Sequence, residues 1–441
     1  MEFRVNMDTT KILVAIWGNF SAWKDANYRY KNKIYTSSTT LPLLLDTIKP
    51  NYTYIILADT LMDKYDNIFT YQEGLARIKN EAGAFIKEKI RSYPTKLKED
   101  NINILILPAV GTFSRSRFVG NPNNFYALVY FELARNIRNI LRNLGSKLAF
   151  ISENNKPCLE LYLDITHGLN FMTMMTYRAV KDILQIIAYF CNVRLIVLNS
   201  DPLVGSGNID LNINEIEKIN VIPAFNFYRY SDTMLLIPSP SGHEGVNALT
   251  KRMDRLYAFC SAFLHGLPVY MYYFYEKPKE DEIENIVKLF YDHIKVNVNG
   301  TFEVIQRLNF GESFISLLQG FLLSNLLMVN AKDDGVVKMD DIERIKGIFK
   351  HSRTILQRLE RELGKIKRVR IGSEFKDYGF YAEANYSRND NFDGRNFFAH
   401  CGFVHNLIEL KREGNTIFIK PKQRFIEEIH EALLESLPSG G

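Results

Sequence analysis

The first half of the chain constrains the fold most, because runs that are apolar at nearly every position recur there between helical segments. Lys11–Trp17, Tyr52–Ala58, Asn101–Val110, Leu159–Asp164 and Val193–Leu198 read as strands. A strand without polar alternation is covered on both faces. Leu41–Ile48, Tyr71–Arg91, Phe125–Leu144 and Leu169–Phe190 carry helical spacing between them. Such an order gives a parallel α/β sheet, whose ligands bind beyond the carboxyl ends of the strands. Gly18-Asn19-Phe20-Ser21, Asp59-Thr60, Gly111-Thr112 and Thr166-His167-Gly168 stand at those ends. No G-x-G-x-x-G follows the first strand and no G-x-x-x-x-G-K-[ST] occurs, which disfavours a dinucleotide dehydrogenase or a Walker-type ATPase.

The alternation stops where Pro223, Pro238, Pro240 and Gly242 cluster. At 441 residues the chain exceeds one ordinary core. The expected organisation is an α/β unit over 1–222, a linker over 223–245 containing the Ser239–His243 turn, and an all-α unit over 246–441 with room for a helical insertion around 280–350. Helices are expected at Glu244–Leu264, Lys279–Asn297, Asn309–Asn330 and Pro421–Leu437, with a hairpin over Leu410–Lys420 turning at Gly414-Asn415. His243-Glu244 lacks the second histidine of a zinc-protease helix. The four cysteines, Cys158, Cys191, Cys260 and Cys401, lack metal spacing, lie in apolar surroundings and read as reduced core residues. The N-terminus has no signal-peptide pattern, and Phe314–Val329 is too short and too polar to span a bilayer. A cytoplasmic protein without membrane association is expected. A net charge of +5 permits a nucleic-acid partner.

Near the C-terminus, Phe392-Asp393-Gly394-Arg395-Asn396-Phe397-Phe398-Ala399-His400 places polar groups at the start of an apolar helix. Asp393 is a suitable N-cap, and Phe397, Phe398, Cys401, Val404, Leu407 and Ile408 continue the apolar spacing. Asn396 and His400, four apart, share a helix face, and the arm of Arg395 reaches it. A guanidinium can hold a phosphodiester and an imidazole can move protons near neutral pH. The same pattern also suits an ordinary helix start.

A second motif lies in the other half. The strand Leu159–Asp164 runs into Ile165-Thr166-His167-Gly168-Leu169-Asn170 and a long helix. A hydroxyl, an imidazole and a glycine at a helix N-terminus make a phosphate- or nucleotide-binding turn. D-x-T-H-G-x-N together with R-N-x-x-x-H resembles the CRISPR-associated CARF–HEPN ribonucleases of type III systems, over most of the chain. The resemblance implies an N-terminal Rossmann-like CARF sensor domain and a C-terminal helical HEPN nuclease domain. It also implies metal-independent cleavage of single-stranded RNA, activated by a cyclic oligoadenylate, with cyclic tetra-adenylate suiting the family best. Arg395 would anchor the phosphate, Asn396 orient, and His400 act as acid or base. No cofactor or metal is implied, and the molecule would be a homodimer or a higher homo-oligomer.

Candidate ligand residues follow from the strand-end loops. Trp17, Gly18, Asn19, Ser21 and Trp23 join aromatic, amide and hydroxyl groups in the first loop, although Phe20 stands where the family often has proline. Ser38 and Thr39 belong to a hydroxyl-rich stretch that also reads as an N-cap cluster. Asp59, Gly111, Thr166, His167, Gly168 and Asn170 complete the set. From Arg344 to Arg370 ten Lys/Arg face two Glu. Arg353, Arg361, Lys365 and Lys367 are the candidate RNA contacts there, against the alternative of a solvated helix face. Two other functions stay open: a nucleotide-sensing regulator without nuclease activity, and a sensor that degrades its own cyclic ligand.

Overall fold

The computed structural model describes residues 9–91, 101–143, 158–203, 209–239, 244–298, 300–327, 329, 335–382 and 391–440. Most of the Ser239–His243 turn lies outside them. The strands of the N-terminal half are β1 Thr10–Ile16, β2 Ala26–Tyr30, β3 Lys33–Ser37, β4 Tyr52–Ala58, β5 Ile102–Leu107, β6 Gly111–Thr112, β7 Ser116–Val119, β8 Leu159–Asp164, β9 Val193–Ser200 and β10 Asp210–Asn220. Its helices are α1 Leu41–Ile48, α2 Tyr71–Arg91, α3 Pro122–Asn143 and α4 Asn170–Ile187. Eight strands form one sheet in the order β3-β2-β10-β9-β8-β1-β4-β5. The run β9-β8-β1-β4-β5 is parallel throughout. Ile12–Ile16 of β1 is buried at 0–1% exposure, as a central strand sandwiched between helices must be.

The sheet extends beyond the expected parallel core. Residues 26–37 form a hairpin that turns at Lys31, whose φ is 53°, and pairs with β10. Its half-exposed edge strands carry a weaker pattern than the core runs. Cys158 and Cys191, expected to be reduced core thiols, form a disulfide with Cα atoms 6.2 Å apart. Leu159 pairs with Val193, and that register brings the two residues within bridging range. Cys260 and Cys401 are buried thiols.

The C-terminal half holds α5 Glu244–Lys251, α6 Met253–Leu264, α7 Pro268–Tyr273, α8 Glu280–Asp292, α9 Glu312–Leu327, α10 Met339–Ile345, α11 Arg353–Arg368, α12 Tyr378–Tyr381, α13 Gly394–Ala399 and α14 Ile426–Glu435. Helix α9 is buried on every side from Phe314 to Leu327 except at Ile315, as its all-round apolar sequence requires. No helix among the described residues is long and apolar enough to cross a membrane. The segment expected as a helical insertion contains strands as well. After α8 come β11's partner strand and a hairpin: β11 Leu236–Ile237 pairs with β14 Asn309–Phe310, and β12 Ile294–Asn297 pairs with β13 Phe302–Gln306. Strand β13 also lies parallel to β7, so one small sheet, β12-β13-β7-β6, is built from both halves of the chain. The stretch between the halves is packed, with Phe225 and Phe227 buried and stacked at 5.0 Å. β15 Val337–Lys338, β16 Lys376–Asp377, β17 Ile408–Glu413 and β18 Thr416–Pro421 form the last sheet, and β17–β18 is the expected hairpin around Gly414-Asn415.

Candidate functional site

Two sites emerge, one at the carboxyl edge of the large sheet and one on the short helix α13. At the sheet edge, a cavity of about 600 Å³ is lined by Trp23, Tyr28, Ser38, Thr166 and His167 together with Asn199, Ser200 and Asp201. The β8–α4 turn is folded by its own hydrogen bonds. Thr166 N–H donates to Asp164 Oδ1 at 3.0 Å, Gly168 N–H to the Ile165 carbonyl at 3.2 Å, and Thr40 Oγ1 to Asp164 Oδ2 at 2.5 Å. Gly18 N–H donates to the His167 carbonyl at 2.9 Å, tying the first loop to this turn. The backbone donors of Thr166 and Gly168 are therefore used within the protein. Among side-chain polar atoms, His167 Nε2, Ser38 Oγ and Trp17 Nε1 are buried without a hydrogen bond among the described residues. Atoms of this kind cost free energy unless something pairs them.

The His167 ring stacks on Trp23 at 4.0 Å and meets Tyr28 edge-on at 5.9 Å. Burial pushes its pKa down to about 4, against the opposing pull of Asp164. His167 is thus a neutral imidazole at pH 7. Burial, then Asp164 and Asp25, raises the Tyr28 phenol to about 12.

The other expected ligand residues divide. Ser21 lines a neighbouring cavity of about 540 Å³ that shares Trp23 and Ser38, but its hydroxyl is engaged by Glu81 and Lys64. Asn19 is exposed beside it, Thr39 is buried and its Oγ1 accepts from Leu41 N–H at 3.4 Å, and Asn170 opens α4. Asp59 lies in neither cavity. It is fully buried, accepts from Ala109 N–H at 2.9 Å and Tyr71 OH at 3.0 Å, and is raised by that burial to about 7. Gly111 sits in β6, paired with Phe118, and also lines neither cavity. Asn199, Ser200 and Asp201 were not among the expected residues, although they end β9 and so follow the same strand-end rule that pointed to Thr166.

The second site is set by a short helix. Asp393 caps α13, accepting from Asn396 N–H at 3.2 Å and Asn396 Nδ2 at 2.8 Å. The apolar spacing suggested a helix running on to Ile408, but α13 stops at Ala399. Cys401 and Gly402 take left-handed φ values of 52° and 78°, and Gly402 N–H returns to the Phe397 carbonyl at 2.9 Å. A Cβ on Gly402 would lie 2.5 Å from the Tyr270 ring, so only glycine fits this stop. His400 consequently sits at the helix end, not inside it. Arg395 is exposed and forms no ion pair among the described residues.

His400 Nδ1 lies 3.1 Å from Oε1 of Glu362, whose side chain is 2% exposed. Arg361 Nε reaches the same oxygen at 2.9 Å and Lys365 Nζ reaches Oε2 at 2.9 Å. Burial raises the Glu362 pKa, but the hydrogen bonds from Lys365, His400 and Arg361 outweigh it and leave it lowered. Arg361 and Lys365, expected as RNA contacts, thus converge on this carboxylate while remaining about half exposed. Lys367 turns to Glu343 of α10 at 2.7 Å, and Arg353 is exposed at the start of α11. The signal for Glu362 was present in the sequence. Leu359, Glu362, Leu363 and Ile366 form the buried stripe of α11, and a carboxylate in that stripe is anomalous. Among the described residues no group of three or more His, Cys, Asp or Glu is placed to hold a metal ion.

Family models of the CRISPR system endoribonuclease Csx1 match both halves: its CARF domain over residues 12–202 and its HEPN domain over residues 352–423. The CRISPR system endoribonuclease Csx1 of Methanocaldococcus jannaschii is 27% identical over 431 residues, covering 91% of this chain and 86% of that protein. Both halves of the chain therefore match Csx1 domain models. The chain is a CARF–HEPN protein, with a mostly parallel CARF sheet and a helical HEPN region. The cavity residues from Trp23 to Asp201 fall within the Csx1 CARF match, and Glu362, Arg395, Asn396 and His400 within the Csx1 HEPN match. Enterococcus italicus Csm6 bound to cyclic hexa-2′-fluoro-hexa-dAMP is a further similar structure, 13% identical over 90% of this chain and 93% of its own. Its TM-score is 0.25.

Proposed function

We propose that this chain is a metal-independent endoribonuclease that cleaves single-stranded RNA in type III CRISPR antiviral defence and is switched on by a cyclic oligoadenylate. Residues 1–222 would form the sensing unit, 246–441 the cleaving unit, and 223–245 their connection. The carrying observation is α13, which presents the exposed Arg395 guanidinium to solvent and ends on a half-buried His400. A planar guanidinium holds two phosphate oxygens at once, and the imidazole transfers the proton of the attacking 2′-OH. The 2′ oxygen bonds to its own phosphorus as the bond to the 5′ oxygen breaks, leaving a 2′,3′-cyclic phosphate. Two HEPN units, paired in a homodimer, would bring two sets of Arg395, Asn396 and His400 to one RNA cleft. The sensing side is supported by the sheet-edge cavity, where a buried hydroxyl, an imidazole and aromatic rings suit an adenylate ring. Cyclic tetra-adenylate is the proposed activator.

Labelled single-stranded RNA, incubated with purified protein in EDTA with and without cyclic tetra- or hexa-adenylate, tests this reading. Cleavage should persist in the chelator and rise with one of the rings. His400→Ala and Arg395→Ala should each abolish it, and Arg395→Lys should keep little, because a point charge does not replace the fork. Loss of cleavage in EDTA that a divalent ion restores, or alanine variants that cut at the wild-type rate, would overturn it.

A further inference from the structure

Glu362 is buried at 1% exposure in the apolar stripe of α11, a costly place for a carboxylate. Arg361 and Lys365 are about half exposed and could find counter-charges in solvent, so their pairing alone does not account for it. What the burial does achieve is a fixed contact with one ring nitrogen of His400. An ionised carboxylate only accepts hydrogen bonds, so the nitrogen 3.1 Å away must donate. In the neutral ring Nδ1 then carries the proton, and Nε2, on the opposite side of a ring that is 36% exposed, keeps its lone pair.

Resting on the ribonuclease reading above, we infer that Glu362 is the positioning residue for His400, holding its ring in the Nδ1–H tautomer with Nε2 turned toward the RNA. Arg361 and Lys365 complete the arrangement by keeping the carboxylate ionised, so that it holds the ring and does not accept its proton. The neighbouring groups are compatible with that role. Tyr378 of α12 and His405 beyond α13 both respond to the Glu362 charge, and both are kept uncharged first by burial. Their rings meet edge-on at 4.6 Å. Cys401 next to His400 is held as a thiol at about 12, chiefly by burial, and does not compete for the proton.

Steady-state cleavage of RNA by wild-type protein, Glu362→Gln and Glu362→Asp, each saturated with activator, tests the assignment. Glu362→Gln should lower kcat roughly 10²-fold, within the range acid–base work supplies, while KM and activator affinity stay within about twofold. Glu362→Asp, which keeps the charge on a shorter arm, should recover part of that loss. Imidazole nitrogen NMR on wild-type protein, assigned by comparison with His400→Asn, reads the tautomer without altering Glu362 and should show Nδ1 protonated. An Nε2–H tautomer, or wild-type kcat in the glutamine variant, overturns the role of Glu362. A wild-type protein that cuts no RNA would instead overturn the ribonuclease reading.

Discussion

At the scale of single residues, burial decides which charges the two sites carry. His167 is held neutral, with its pKa lowered from 6.5 to about 4 chiefly by burial. The unfolded chain therefore binds a proton between those values that the folded chain refuses, and stability falls as pH drops through that window. Above pH 6.5 both states are neutral and the contribution is constant. The difference should be on the order of 2–3 kcal/mol between pH 7 and pH 4. The other histidines His265, His351 and His405 are also lowered, chiefly by partial burial, so the measurement is the difference between wild type and His167→Phe. Denaturant midpoints from pH 7 to pH 4 should fall more steeply for wild type; parallel slopes would show that His167 is not the buried neutral group described. Glu362 shows the opposite outcome, a buried acid kept ionised by Lys365, His400 and Arg361.

At the scale of elements, both sites lie where a regular element is stopped. The backbone donors of Thr166 and Gly168 in the β8–α4 turn are used internally, and its glycine serves packing: a Cβ on Gly168 would lie 2.3 Å from Thr173 Oγ1 in the first turn of α4. Gly168→Val should push α4 away from the turn, displace His167 and Thr166 from the cavity, and remove activation. Basal RNA cleavage, proposed above to depend on α13, should survive. Calorimetry with cyclic tetra-adenylate checks this. Unchanged affinity in the variant would mean that the turn does not shape the ligand site. Helix α13 is stopped even more abruptly, with Asp393 capping one end and Gly402 closing the other, so its six residues hold Arg395 and His400 at fixed ends.

At the scale of the whole molecule, the two halves are joined through shared structure. Strand β7 of the first half pairs with β13 of the second, and a buried amide network locks the seam. Asn124 Nδ2 donates to Gln306 Oε1 at 2.7 Å and to Asn309 Oδ1 at 3.1 Å, while its Oδ1 accepts from Phe310 N–H at 3.0 Å. Gln306 in turn reaches the Ala109 carbonyl at 3.2 Å, and Ala109 N–H reaches Asp59, so the network ends beside β4 at the sheet edge. Asn124→Leu would leave the Gln306 and Phe310 partners buried and unsatisfied and should cost roughly 2–4 kcal/mol, read from the denaturant midpoint. A change under 0.5 kcal/mol would mean that water or relaxation satisfies the seam. If ligand binding drives cleavage across this seam, a shift from ~1% to ~99% active needs about 5.5 kcal/mol of differential affinity.

The sequence by itself determined the parallel core, the helical second half and the motifs at Thr166–Gly168 and Arg395–His400. Those features are local: uninterrupted apolar runs report burial on both faces, and a capped polar cluster reports a helix start. Only the tertiary structure decided what those residues meet. The Cys158–Cys191 bridge depends on the register of β8 against β9, and the seam depends on β7 pairing with a strand nearly two hundred residues away. Asp59 and Thr166 both end parallel strands, yet packing buries one in the seam network and opens the other to a cavity. Glu362 looked like a lesser member of a basic run because charge was counted along the chain. Folding α11 against α13 turns that carboxylate inward to His400, since burial and pairing depend on distances that linear order does not fix.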